Sequence, residues 1–298
     1  MQKTHLIEAP AVEAKAWLVS FGPASRPGAV RIAAPRELFA QWTPVDAAAP
    51  PAAPQAANDG ERSLAVLWMP TGAPAEAEAG WTAAMPAGES SERIVRAGLR
   101  TARVVWTDRL AIVYTAAEQL EDALDALVRF TIVERDTAAL EAKMPSIWAA
   151  IDADTPLTHT VQPADHLQRR AEVNRTTETV TRMASTALKV EAALEQLDPA
   201  LQSSSKRLFA ELALQAGLED RLEMLAEPID FAIEHYELIN TRMIEARQFM
   251  IEEQQFEIGR QQFEVEKKQA TASLVVEVII LAVLVADLLF IAYPYFVK

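Results

Sequence analysis

An α+β fold is what the sequence predicts: a small β-rich N-terminal domain, then a mainly helical coiled-coil stalk, then one C-terminal transmembrane helix. Three observations carry it. Short Val-, Ile- and aromatic-rich runs separated by turn residues fill the first 116 residues, helical periodicity sets in at Ala117, and the stretch Ser273 to Tyr293 is apolar apart from two acids. The chain has 298 residues, of which 50% are hydrophobic and 23% charged, enough to bury a core.

Strands are expected at Ala16 to Phe21, Ala29 to Ala33 and Ser63 to Trp68, with a hairpin of Ala102 to Trp106 and Leu110 to Tyr114. Between them, Pro44 to Glu61 is Ala- and Pro-rich and reads as an extended surface linker. A second stretch, Pro70 to Ser91, is rich in Ala, Pro and Gly and reads as a loop. Residues 1–116 form one domain in this reading, because short strands need one another to make a sheet. They hold eleven acids and eleven bases, so the whole net charge of -14 falls on the helical remainder.

Residues 117–227 read as a helical bundle or coiled coil. Leu120, Leu124, Leu127 and Val128 mark one amphipathic segment; Asp136 is a candidate cap for a second, carrying Leu140, Met144, Trp148 and Ile151, with Pro145 expected to bend or restart it. Beyond a connection from Asp152 to Pro163, steps of three and four link Val173, Thr176, Val180, Met183, Ala187, Val190, Leu194 and Leu197 in a coiled-coil seam. Asp198-Pro199 stops that helix and supplies a cap and a first-turn proline for the next, which Glu227-Pro228 ends.

From 228 to 272 the pattern predicts a continuous stalk helix. Running on through the apolar stretch to 293, it would be a rod of about 98 Å. Ile229, Ala232, Tyr236, Ile239, Met243, Ala246 and Met250 make its first seam, after which the units FMIEEQQ, FEIGRQQ and FEVEKKQ repeat every seven residues from Phe249. Phe249, Phe256 and Phe263 form one stripe; Ile251, Ile258 and Val265 form another about 200° round the helix. Two opposed stripes imply two neighbours, as in a bundle or a ring of more than two chains.

Residues 273–293 have the length and apolarity of a membrane span. Lys267 and Lys268 on the N-terminal flank, against Lys298 alone on the other, set the expectation of a cytoplasmic N-terminal part and a tail anchor. Tyr293 and Tyr295 sit where an aromatic belt would. Glu277 and Asp287 are intramembrane acids; Glu277 lies near enough to the interface to snorkel, while Asp287, deeper, is a candidate helix–helix contact, a partner for a basic residue or part of an ion path.

Chemistry leaves few marks. Without Cys there is no thiolate nucleophile or thiolate metal site, and no Gly-rich phosphate loop, GxSxG or HExxH occurs. No cofactor, metal or catalytic residue is expected, and an isoelectric point near 4.8 argues against nucleic acid as a partner. The group Asp152, Asp154, His159, Asp165 and His166 matches no known ligand spacing, and its acids read as helix ends.

A cytoplasmic α/β domain followed by helices and a long stalk entering the membrane resembles the plan of CorA-type cation channels, without their second span or Gly-Met-Asn loop. The coiled coil ending in one C-terminal span is similar to the YagE-type family over the last 90 or so residues. No functional residue is carried over from either.

The functional expectation is therefore a non-enzymatic, tail-anchored membrane scaffold or assembly protein, single-pass and homo-oligomeric, with a protein partner for its cytoplasmic domain. Its interface residues would be Val173, Val180, Met183, Val190, Leu194 and Leu197, with the two stripes of residues 249–265. The alternative is an accessory or pore subunit of a cation or proton transport complex, using Glu277 or Asp287. Twenty Arg against eight Lys, with abundant Ala, suggest a GC-rich bacterial genome and hence a bacterial inner membrane.

Overall fold

The computed structural model describes residues 13–24, 27–51, 63–70, 75–85, 93–159, 161, 163–199 and 201–296, with side chains described for the same residues apart from 75–77, 163–168 and 287–296. The architecture is mixed α+β. Seven strands precede long helices: β1 Lys15–Gly22, β2 Val30–Ile32, β3 Leu38–Val45, β4 Leu64–Met69, β5 Val95–Gly98, β6 Ala102–Trp106 and β7 Leu110–Thr115. The helices are α1 Ala75–Ala84, α2 Leu120–Asp154, α3 Pro163–Glu195, α4 Ser203–Gln215 and α5 Leu218–Phe296.

Five strands fall where the residue pattern puts them, including the β6–β7 hairpin, whose register sets Val104 opposite Val113. β3 and β5 were not expected. β3 contains Pro44, which lies past the three residues that β2 covers, so there β3 has a neighbour on one side only. α1 replaces the loop expected between Pro70 and Ser91. Its sequence AEAEAGWTAA is made mostly of strong helix formers. Trp81, fully buried, anchors it and donates Nε1–H to the Ala47 carbonyl at 3.0 Å. A Cβ on Gly80 would stand 3.3 Å from the Ala48 carbonyl oxygen, so glycine is what lets α1 come this close.

The sheet order is β2-β3-β1-β4-β7-β6-β5, antiparallel except for β4 against β7. All six residues of β4 are buried, as a central strand covered on both faces requires. One face meets α1 through Ala65, Leu67, Met69 and Ile112. The other packs Val19, Leu64, Val66, Val104 and Trp106 against Leu127, Phe130, Leu208 and Leu212, and Val190 of α3 joins the same cluster. Trp106 meets the Phe130 ring edge-on at 5.1 Å and donates Nε1–H to the Thr131 hydroxyl at 3.0 Å.

Four boundaries differ from the expected ones. α2 runs 35 residues through Pro145, and Asp136 is no cap: it sits in mid-helix and takes the Arg36 guanidinium with both carboxylate oxygens, at 2.9 and 3.1 Å. Asp198-Pro199 does follow the end of α3, but α4 starts only at Ser203, behind Gln202. Pro228 lies inside α5, which is one helix of 79 residues. The break before it is at Gly217, whose φ of +62° closes α4 as the Gly217 N–H reaches the Leu214 carbonyl.

By backbone contacts the chain forms two units, residues 1–153 with 175–236 and residues 154–174 with 237–298.

Candidate assembly surface

The first seam of α5 is used within the chain. Ile229, Ala232, Tyr236, Ile239 and Met243 are all buried, Ala246 and Met250 half-buried, and from Ile251 to Ala286 every residue is exposed. The seam on α3 is also occupied: Val173, Val180, Met183 and Val190 are at most 2% exposed, and Leu194 and Leu197 pack against the sheet-facing core. Val173, Val180, Met183 and Val190 are thus covered within the chain, while Leu194 and Leu197 stay half-buried.

The two heptad stripes have the opposite character. Phe249, Phe256 and Phe263 are 68–77% exposed, and Ile251, Ile258 and Val265 43–61%. Neither packs on preceding helices. Ile244, 59% exposed and seven residues before Ile251, lengthens the second stripe by one heptad. Its neighbour Met243 belongs to the buried seam, which masks the longer stripe in the sequence. Between the stripes lie Glu252, Glu253, Glu257 and Glu264, and Arg260 reaches Glu264 one turn on at 3.8 Å. That pair is solvent-exposed and adds little.

The stripes run on, in the same helix, into Leu274, Val275, Val276, Val278, Ile279, Ile280, Leu281, Val283, Leu284 and Val285, each half-exposed or more. This part of α5 is long and apolar enough to cross a membrane, and none of its apolar window is buried. Glu277 lies within it, exposed. Asp287 lies on the same helix ten residues on, about 15 Å farther along; its side chain, like those of Tyr293 and Tyr295, is outside the described residues.

No group of three or more His, Asp or Glu among the described residues is arranged to hold a metal. Asp154, nearly fully buried, ends α2 and pairs with Arg169, and the His159 N–H closes the short turn Thr155–Thr158. Asp165 and His166 have side chains outside the described residues.

One charged cluster escaped sequence reasoning. Arg221 of α5 is buried and clamps Glu141 with Nε and Nη2, both at 2.7 Å, while Nη1 holds Glu134 at 2.5 Å. Arg93 approaches Glu134 from the sheet side at 3.5 Å. Burial pushes the Glu134 carboxyl above its ordinary range, against the pull of Arg221; the Arg221 hydrogen bonds hold Glu141 below its own. Residues 80 and 87 positions apart meet here, which no local spacing signals. With each Arg221 donor group satisfied by a carboxylate, the cluster fastens α2 to α5.

No protein-family model and no curated protein matches the chain. Among solved structures it is similar to that of the full-length CmaX protein, with 14% sequence identity over 66% of this chain and 72% of that one, at a TM-score of 0.35.

Proposed function

We propose that this chain is a membrane-anchored scaffold: its sheet domain is held at the cytoplasmic face by α5, and copies assemble through the Phe and Ile stripes of residues 244–265. The observation that carries this reading is that both stripes are uncovered and continuous with an uncovered apolar segment of the same helix. A helix of this kind in water would expose several hundred Å2 of apolar surface, more than a monomeric soluble protein tolerates. A bilayer covers the segment from Leu274 on; neighbouring helices cover the stripes. Lys267 and Lys268 ahead of the segment favour a cytoplasmic N-terminal side. The scarcity of catalytic motifs supports binding over catalysis, and the composition a bacterial inner membrane.

Light scattering of the full chain in detergent, with the detergent mass subtracted, tests the assembly. An oligomer is expected, reduced to smaller species when Phe249, Phe256 and Phe263 are all changed to Gln. A monomeric wild type would sink the reading. The transport alternative draws on Glu277, an acid on the exposed apolar segment, and on Asp287. For that alternative, Asp287→Asn should abolish cation or proton flux into vesicles holding the chain while leaving its mass unchanged; equal flux would dismiss it.

A further inference from the structure

The sheet domain has a cleft of about 570 Å3 that the assembly surface does not involve. It opens at the carboxyl ends of β4 and β7, the one parallel pair among the described strands, where Met69, Tyr114 and Thr115 end their strands. α1 bounds it with Glu78, the tight β5–β6 turn with Arg100 and Thr101, and β6 with Arg103. Ligands in sheets with parallel strands gather at such carboxyl ends, where the chain departs in different directions and leaves a crevice. The volume is that of a small-molecule site.

The wall is preformed. The Thr115 hydroxyl donates to the Thr101 carbonyl at 3.0 Å, and Trp68 donates Nε1–H to the Thr115 carbonyl at 3.0 Å. The Arg103 guanidinium lies over the Tyr114 ring at 4.0 Å, while its ion pair with Glu78 is long, 3.8 Å. The Tyr114 hydroxyl donates to the same Glu78 oxygen at 2.5 Å and also meets the Arg103 guanidinium, so that carboxylate is shared and holds Arg103 only loosely. Arg100 has no ion pair or hydrogen bond from its side chain among the described residues. Two arginines and one carboxylate therefore line the cleft. A stacked, oriented guanidinium with open donors fits the planar or tetrahedral oxygens of carboxylate and phosphate.

We propose that this cleft binds a small ligand bearing an oxyanion, held by Arg100 and Arg103, with Glu78 as the internal group that the ligand displaces from Arg103. Inorganic phosphate is the probe. The thermal midpoint of the full chain in maltoside detergent is followed against phosphate concentration, with chloride keeping ionic strength constant, and the saturation curve gives an apparent Kd. Arg103→Met and Arg100→Met should each weaken binding about tenfold, with the midpoint in the absence of phosphate nearly unchanged for Arg100→Met, whose side chain is exposed. Glu78→Gln should tighten binding, because the competing charge is gone. No saturable effect of phosphate, equal affinity in Arg100→Met, or weaker binding in Glu78→Gln would each overturn the proposal, the last marking a cation site instead. Repeating the titration in neutral vesicles with and without phosphatidic acid identifies the source: competition points to a lipid headgroup and its absence to a soluble ligand, and both require the site.

Discussion

Arg221 shows how much one side chain holds. It is 8% exposed and satisfies two carboxylates of α2, one of them, Glu134, only 4% exposed. Removing it leaves Glu134 as a buried charge with only Arg93 near, at 3.5 Å. Arg221→Met should cost about 3–5 kcal/mol of stability, and adding Glu134→Gln should recover most of that, since the loss comes from the stranded charge. Urea unfolding of the two variants beside the wild type checks it; no recovery in the double variant would mean that packing of the guanidinium stem is what matters. The acid response is specific as well. Glu141 has a folded-state pKa held down by Arg221, so its contribution is present above the unfolded value and disappears as pH falls through the folded one. Glu134 has a raised folded-state pKa, so the fold gains from its protonation and loses as pH rises through that value. The two oppose each other in acid. Glu134→Gln should therefore steepen the loss of stability below neutral pH, and Glu141→Gln should flatten it, in unfolding series from pH 7 to 3.

At the scale of elements, the prolines and one glycine decide where helices end, and not in the way their reputation suggests. Pro145 and Pro228 each remove one backbone donor, yet Met144, Ile147 and Ile151 beside the first and Leu225, Ile229 and Ala232 beside the second are buried, and that burial outweighs a lost bond. Gly217 ends a helix because its φ is +62°, with open space around it. Gly217→Ala should thus act through backbone strain alone and cost about 1–2 kcal/mol, read as a lower thermal midpoint. If that midpoint is unchanged, the turn is free to relax. These cases mark what the sequence made legible. Strands rich in Val, Ile and aromatics between turn residues, such as β6 and β7, and the long run of α5 were readable because composition and periodicity are local. β3 was hidden behind Pro44, whose edge position only topology reveals, and α1 behind an Ala-rich composition shared with linkers. The period of the α3 seam was legible but what covers it was not, since a heptad packed within one chain has the same spacing as one packed on another copy; Val190, Leu194 and Leu197 join the sheet core. The Arg100–Arg103 cleft stayed invisible because its parts meet through the β4–β7 pairing, 45 residues apart in register.

For the whole molecule, the decisive contrast is between a chain that buries its seams up to Met243 and a helix that buries nothing from Ile251 to Ala286. Within the proposed assembly, the angle between the stripes limits the symmetry. Stripes about 200° apart cannot both face one partner, so each copy touches two. Two kinds of contact are possible. In an isologous arrangement Phe meets Phe and Ile meets Ile, and losing one stripe leaves dimers joined by the other. In a heterologous ring the Phe stripe of each copy meets the Ile stripe of the next, so one lost stripe disables every contact. We predict the ring, in which the bulky Phe knobs of each copy seat between the smaller Ile and Val side chains of the next at a shared seven-residue period. The full chain carrying Phe249→Gln, Phe256→Gln and Phe263→Gln should be monomeric in detergent, as should one carrying Ile251→Gln, Ile258→Gln and Val265→Gln. Mixed, the two variants retain one intact Phe-to-Ile contact, and differently tagged copies should purify together as a one-to-one dimer. Dimers of either variant alone would establish the isologous pairing instead, and variants that are monomeric alone and still fail to pair when mixed would remove the stripes from the assembly altogether.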